Sequence, residues 1–132
     1  AWTDAEIREA DSLSGARAGN RIPNVPRVAG SAALRYEGSP AAGAFAPVLH
    51  LGWQYAGARA ADVADGFELP GYANLDLRAG VRTGRWELYA YARNLLDREQ
   101  SLNGVLYGPG VEGVSYARGR VLGLGATATF GR

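Results

Sequence analysis

The side chains that could do chemistry are few. His50 is the single histidine and the chain has no cysteine, which removes disulfides and thiolate metal ligands. Catalysis or metal binding by His50 would require partners at suitable spacing, and none is evident. Asp62, Asp65 and Gly66 could contact a cation, but their spacing is not that of a calcium loop, which favours a polar loop tip. We therefore predict no catalytic residue, no metal site and no cofactor.

One glycine-rich motif imitates a nucleotide-binding loop. Gly123-Leu-Gly125-Ala-Thr-Ala128 has a similar glycine spacing, but such a loop must open a helix, for which too few residues remain. The surrounding run, Arg120–Phe130, alternates instead between apolar residues and residues that are small or hydroxylated. We predict a strand here, with Gly123 and Gly125 as small positions on its polar face.

Composition limits the class of protein. The formal net charge of +1 offers no electrostatic case for a nucleic-acid partner. The absence of methionine suggests a processed product or a fragment. No run of 18 apolar residues is present, which excludes a transmembrane helix but not transmembrane strands, because strands of a membrane barrel alternate.

Alternation with a period of two predicts an all-β fold, an antiparallel meander of five to six long strands. The five clear strands are Ser31–Tyr36, Phe45–Tyr55, Tyr72–Arg82, Trp86–Asn94 and Arg120–Phe130. Pro47 should lie near a strand's start or at a bulge. Ala1–Ile7 could be the end of a further strand or a helix, because Thr3 and Glu6 have capping-box spacing.

The connections alternate in length. The three long connections, predicted as loops, are Arg8–Val28, Ala56–Gly71 and Leu95–Gly119. The two short connections, predicted as turns, lie between them and are Glu37–Ala44 and Thr83–Arg85. A meander that spans a membrane has short turns on one side and long loops on the other. A strand of 11 residues would rise roughly 25 Å at about 45° tilt, which matches the apolar band of such a barrel.

The two faces of the predicted strands differ. Aromatic residues on the apolar face fall into two belts, as at two membrane interfaces: Tyr36, Phe45, Trp86 and Phe130 at the short-turn end, and Trp53 and Tyr55 at the other. The opposite face is charged, and its residues could form a cross-strand ladder: Arg35, Asp76, Arg78, Arg82, Glu87 and Arg93. A soluble half-buried sheet also segregates its charges. A soluble all-β module that binds a ligand or partner is therefore the alternative.

Four local motifs, in this order, resemble the C-terminal part of the barrel of TonB-dependent outer-membrane receptors. They are Asn20-Arg21-Ile22-Pro23-Asn24-Val25-Pro26-Arg27, Leu69-Pro70-Gly71-Tyr72 before Leu75-Asp76-Leu77-Arg78, Trp86-Glu87-Leu88 before Arg93-Asn94-Leu95-Leu96-Asp97, and the last strand with its terminal aromatic. Two positions depart from the family pattern. Leu96 stands where phenylalanine is usual, and Gly131 and Arg132 follow the aromatic that usually ends the chain.

The resemblance implies that residues 1–132 form the last strands of a 22-stranded barrel, its wall and extracellular loops, without the plug domain. Such a receptor lies in the bacterial outer membrane and takes up a siderophore, cobalamin, haem or similar large nutrient. It is a transport protein and not an enzyme. The implied partners are outer-membrane lipid, the remaining barrel and plug, a metal chelate or similar ligand and, indirectly through the plug, the TonB complex.

The resemblance also suggests roles for single residues. Ligand contacts are expected from the long loops and upper lumen wall, with Tyr72, Asn74 and Arg93 as candidates. Contacts to the plug are expected from His50, Asp76, Arg78, Glu87, Tyr89 and Tyr91. Leu77 and Leu88 should face lipid and Gly80 the lumen, so that arginine should be tolerated only at Gly80.

Overall fold

The computed structural model describes residues 1–40, 45–108 and 110–130, and these contain strands and turns but no helix. Accordingly, none of the described residues forms a helix that could cross a membrane. The strands are β1 (Ala29–Glu37), β2 (Ala46–Ala56), β3 (Arg59–Ala60), β4 (Glu68–Leu69), β5 (Tyr72–Thr83), β6 (Trp86–Arg93), β7 (Ser101–Gly108), β8 (Val111–Tyr116) and β9 (Val121–Ala128). The all-β prediction is confirmed.

The chain forms two compact units, which we call the sheet unit and the loop unit. The sheet unit comprises Ser31–Gln54, Asn74–Arg98 and Gly119–Arg132. Its antiparallel sheet has five strands in the order β1-β2-β5-β6-β9. These are the five strands predicted from alternation, with ends that differ by at most two residues, so the predicted meander is confirmed.

A short turn joins β5 to β6, as predicted, and the first predicted turn falls between β1 and β2. Thr83 pairs with Trp86, and Gly84 between them has a φ of 54°, a left-handed conformation that glycine adopts without strain. Pro47 is the second residue of β2, which confirms its expected place near a strand's start. Part of the first turn, residues 41–44, lies outside the described residues, as do Gly131 and Arg132.

The apolar face of the sheet is left uncovered within the sheet unit. Leu124 in the middle of β9 is 85% exposed and Leu88 of β6 is 50% exposed. The predicted belt aromatics of the sheet unit are also exposed, namely Tyr36, Phe45, Trp53, Trp86 and Phe130, and so is Tyr55 of the loop unit. An exposed apolar surface of this extent marks an interaction surface for protein or membrane.

The loop unit comprises Ala1–Gly30, Tyr55–Ala73 and Glu99–Arg118. It contains the two-residue pair β3-β4 and the hairpin β7-β8. The prediction that Leu95–Gly119 is a loop is therefore wrong for most of its length. Ala56–Gly71 is mostly irregular as predicted, with β3 and β4 as its only strands in the described structure, and its Ala60 and Leu69 are fully buried.

The N-terminal segment is irregular. Trp2 and Glu6 form isolated antiparallel bridges with Val28 and Arg21, and neither a helix nor a regular strand forms in Ala1–Ile7. The helical alternative is wrong, because backbone pairing within the loop unit prevails over the capping-box spacing. The Thr3 amide, for example, donates to the Arg27 carbonyl at 2.8 Å.

Candidate functional site

The polar face of the sheet unit contains a cavity of about 410 Å³ between side chains of β2, β5 and β6. It unites Arg93, a predicted ligand contact, with five of the six predicted plug-facing residues, while Glu87 is absent from its lining. The lining residues are His50, Gly52, Asp76, Leu77, Arg78, Tyr89, Tyr91, Ala92 and Arg93.

A ladder of charges crosses the same face of β1, β5 and β6. Arg78 donates to Glu87 at 2.6 Å, and Arg82 donates to both Glu87 at 3.4 Å and Glu37 at 3.3 Å. Arg35 also donates to Glu37. The predicted cross-strand ladder is thus present. Ion pairs as exposed to solvent as these contribute little to stability.

Arg93 is not part of this ladder, contrary to the prediction, and neither is Asp76. Its Oδ1 accepts the backbone N–H of Asn94 at 2.9 Å and the side-chain amide of Asn74 at 3.2 Å. Asn74, a predicted ligand contact, therefore lies beside Asp76 and orients it. Alternation along β5 places the Asp76 carboxylate opposite the end of β6. It therefore accepts a backbone N–H of the turn that follows β6.

Asn94 and Asp97 organise that turn, and both adopt positive φ angles, 49° and 52°. Asn94 is only 4% exposed, and its amide both donates to the Arg98 carbonyl at 2.9 Å and accepts the Arg98 N–H at 3.1 Å. Asp97 accepts the N–H of Arg120 at 2.9 Å. These residues belong to a motif that carried the family resemblance, but alternation alone did not predict their structural role.

Two tyrosine rings of β6 lie over glycines of β9. Tyr89 pairs with Gly125 and Tyr91 with Gly123. A Cβ atom at Gly125 would stand 2.4 Å from Cζ of Tyr89, and one at Gly123 would stand 2.5 Å from Cζ of Tyr91. The guanidinium carbon of Arg78 lies 3.6 Å from the Tyr89 ring centre, a close cation–π contact. The prediction of small residues at these polar-face positions is confirmed.

In the loop unit, Arg21 pairs with two carboxylates. It contacts Asp65 at 2.8 Å and Glu68 at 2.6 Å, and these bonds raise the pKa of Arg21 above its ordinary value. The Asp65 carboxylate, a candidate cation contact from the sequence, is therefore paired with Arg21 of the same chain. Asp62 accepts the backbone N–H groups of Ala64 and Gly66 at 2.8 and 3.1 Å. These bonds are those of a folded polar loop tip, as favoured from sequence.

Arg59 is a buried cation of the loop unit that the sequence did not single out. It is 5% exposed and donates to the carbonyls of Ser101 and Leu102, the latter at 3.2 Å. Its guanidinium carbon lies 5.7 Å from the ring centre of Tyr72, another predicted ligand contact. Arg59 lies in a segment without periodicity, so no sequence signal marked it.

The described residues contain no group of three or more His, Cys, Asp or Glu that could hold a metal ion. The polar face therefore consists of hydrogen-bonding and charged groups arranged around a cavity. An antiparallel sheet with this polar face and an exposed apolar face has the two-sided construction that is typical of a β-barrel wall.

Comparison with known proteins specifies the family. Residues 1–95 match the family model "TonB dependent receptor-like, beta-barrel". The metal-pseudopaline receptor CntO of Pseudomonas aeruginosa strain UCBPP-PA14 is 34% identical over 83% of this chain, and that of strain PAO1 is 35% identical over the same share. The crystal structure of the ferric yersiniabactin uptake receptor FyuA from Yersinia pestis superposes with a TM-score of 0.76, at 25% identity over 86% of this chain.

The chain belongs to the TonB-dependent receptor family and corresponds to the C-terminal part of the receptor barrel. It spans 16% of the length of the curated relatives and 18% of the FyuA chain. The resemblance inferred from four short motifs is confirmed.

Proposed function

We propose that this chain is part of an outer-membrane receptor that takes up a metal chelate of the siderophore type, with energy supplied through TonB. Residues 1–132 would form barrel wall and extracellular loops, and the remaining barrel and the plug domain would be supplied by the rest of the receptor. The observation that supports this most directly is the match of 83% of the chain to metal-pseudopaline receptors.

The two faces of the sheet support the membrane part of the proposal. Leu88 and Leu124, exposed on the apolar face, would contact outer-membrane lipid, with the six belt aromatics at its two interfaces. The polar face would line the lumen. The edge strands β1 and β9 of this sheet would pair with the remaining barrel, because a spanning sheet must satisfy all its backbone groups.

The proposed role is binding and transport without catalysis. The relatives are receptors by name, and the cavity residues form ion pairs and ring contacts without an evident nucleophile and base. The plug would contact the lumen through His50, Arg78 and Tyr89 with their neighbours, and the ligand would contact Tyr72, Asn74 and Arg93.

The function can be tested by deletion of the parent gene in its own organism. Accumulation of radioactive iron, zinc and nickel would be measured during metal starvation, with culture supernatant as the source of chelates. We expect uptake of one chelated metal to be lost and to return with the intact gene, but not with a gene lacking Trp86–Phe130. Unchanged accumulation of every metal would contradict the metal-chelate proposal, and defective uptake of cobalamin or haem would indicate a different nutrient.

A further inference from the structure

One arginine of the polar cavity lacks a counter-ion. Arg93 forms no ion pair with any described residue, and its guanidinium carbon lies 5.9 Å from the Tyr91 ring centre. The other cavity arginine, Arg78, is neutralised by Glu87 at 2.6 Å. Asp76 also lines the cavity, but its Oδ1 accepts N–H groups of Asn74 and Asn94 and it forms no ion pair with Arg93. Among the described residues, Arg93 is thus the cavity arginine that has no ion pair.

Two further polar atoms of the cavity residues have unmet hydrogen-bonding capacity. Nε2 of His50 and Nε of Arg78 are both buried, and neither has a hydrogen-bond partner among the residues that the structure describes. Buried polar atoms without partners are rare in folded proteins. Arg78 Nε can only donate and His50 Nε2 can donate, so an acceptor would satisfy both.

We propose that this cavity binds a carboxylate group through Arg93 and His50, with Tyr89 and Tyr91 as its aromatic wall. The planar guanidinium matches a carboxylate in shape and charge. A single arginine without a counter-ion suits a monoanion, and Asp76 at the same cavity disfavours a dianion such as phosphate. The volume of about 410 Å³ lies within the range of small-molecule sites.

The inference rests on the proposed function and deepens it, because it names the chemical group recognised on the lumen wall. That group has two sources: a free carboxylate of the transported chelate, or an acidic side chain from another part of the receptor. The two sources are distinguished by separate arms of one experiment on the full-length receptor in detergent.

The first arm uses acetate as the probe and ligand-observed saturation-transfer NMR as the readout. Acetate should receive saturation from the receptor, neutral acetamide should not, and phosphate should not compete. Arg93→Gln, which removes the charge, and His50→Phe, which removes the ring N–H, should each weaken acetate binding about tenfold, as expected for loss of a hydrogen bond to a charged group. Arg35→Gln is the matched control, because Arg35 lies on the same face but pairs with Glu37 and does not line the cavity.

The second arm detects a carboxylate supplied by the receptor. Arg93→Lys, treated with a carbodiimide, would form an amide with a carboxylate in contact, and mass spectrometry would identify its residue. Arg35→Lys should cross-link to Glu37 and serves as the positive control. Heat-modifiable mobility on gels would confirm that each variant is folded.

Acetate binding that depends on Arg93 supports a free ligand as the source. A cross-link from Lys introduced at Arg93 to a carboxylate other than Asp76 supports the receptor as the source. If the variants are folded but acetate binding does not depend on Arg93 and no such cross-link forms, the proposed carboxylate site is wrong. Metal-chelate uptake by cells with the unmodified receptor separates that failure from failure of the proposed function.

Discussion

At the scale of single residues, the polar face depends on partners that alternation could not specify. The sequence predicted that Gly123 and Gly125 lie on the polar face as small residues. It could not predict that rings from the neighbouring strand occupy the space above them, because that depends on the register of β6 against β9. The tyrosines predicted to face the plug therefore also stabilise the wall itself.

Gly125→Ala should destabilise the protein because its Cβ would overlap the Tyr89 ring, which must then move away from Arg78. Overpacking of this kind typically costs about 1–3 kcal/mol. Urea unfolding in micelles, followed by tryptophan fluorescence, would measure the change. Gly52→Ala is the matched control, since a Cβ there has nothing within 4 Å. Equal stability of the two variants would contradict the packing role of Tyr89.

The structure also changes which residue can test the orientation of the sheet. Gly80 was predicted to tolerate arginine as a lumen-facing position. A Cβ at Gly80 would lie 2.3 Å from the carbonyl oxygen of Leu88 and 2.7 Å from Cβ of Tyr89. The prediction that Gly80 tolerates arginine is therefore wrong. Any side chain at Gly80 would collide with the backbone of β6, whichever face of the sheet it lies on. Gly52, on the same face with open space around it, replaces it.

Leu124→Arg should impair folding into lipid because it places a charge on the face proposed to contact the bilayer core. The expected cost is about 2–4 kcal/mol near the midplane, and Gly52→Arg should cost much less. Folding yield into lipid vesicles of the full-length receptor, read as heat-modifiable mobility, would compare them. If both variants folded equally well, the assignment of lipid and lumen faces would be refuted.

At the scale of elements, strands with regular alternation were predicted well and glycine-rich segments were not. β5 and β6 have clean alternation and a tight turn, and their ends were placed within a residue. The hairpin β7-β8 was predicted as loop because its glycines suggested irregular chain. In the structure, Gly104 lies where a Cβ would be 2.6 Å from Phe67, and Gly113 where it would be 2.7 Å from Tyr107. Close packing against Phe67 of a distant segment and against Tyr107 across the hairpin explains these glycines.

The turn after β6 gives a prediction at this scale. Asn94→Ala removes both bonds between the buried Asn94 side chain and the backbone of Arg98, and leaves buried groups unsatisfied. The free energy of unfolding in micelles should fall by about 1–3 kcal/mol. Asn103→Ala is the control, because Asn103 is exposed and its side chain accepts an exposed bond from Asn24 at 3.2 Å. A larger loss for Asn103→Ala would contradict the role of the turn.

At the scale of the whole molecule, the resemblance identified the family where periodicity alone left two classes open. Alternation fits a soluble module as well as a membrane barrel. Membership of the TonB-dependent receptor family and the exposed apolar face of the sheet unit together favour the membrane reading. The identity of the ligand could not be predicted, because the chain spans only 16% of its curated relatives and contact residues from elsewhere in the receptor are not part of it.

The membrane reading predicts how the 132-residue chain behaves when produced by itself. The exposed apolar face and the open edges of β1 and β9 should cause aggregation in buffer, whereas micelles would cover the face and permit a β-type circular dichroism spectrum. Size-exclusion chromatography with light scattering, with and without detergent, would test this. A substitution that adds charge to the polar face, such as Gly52→Arg, should not restore solubility. A monodisperse β-domain in buffer without detergent would instead establish the soluble alternative.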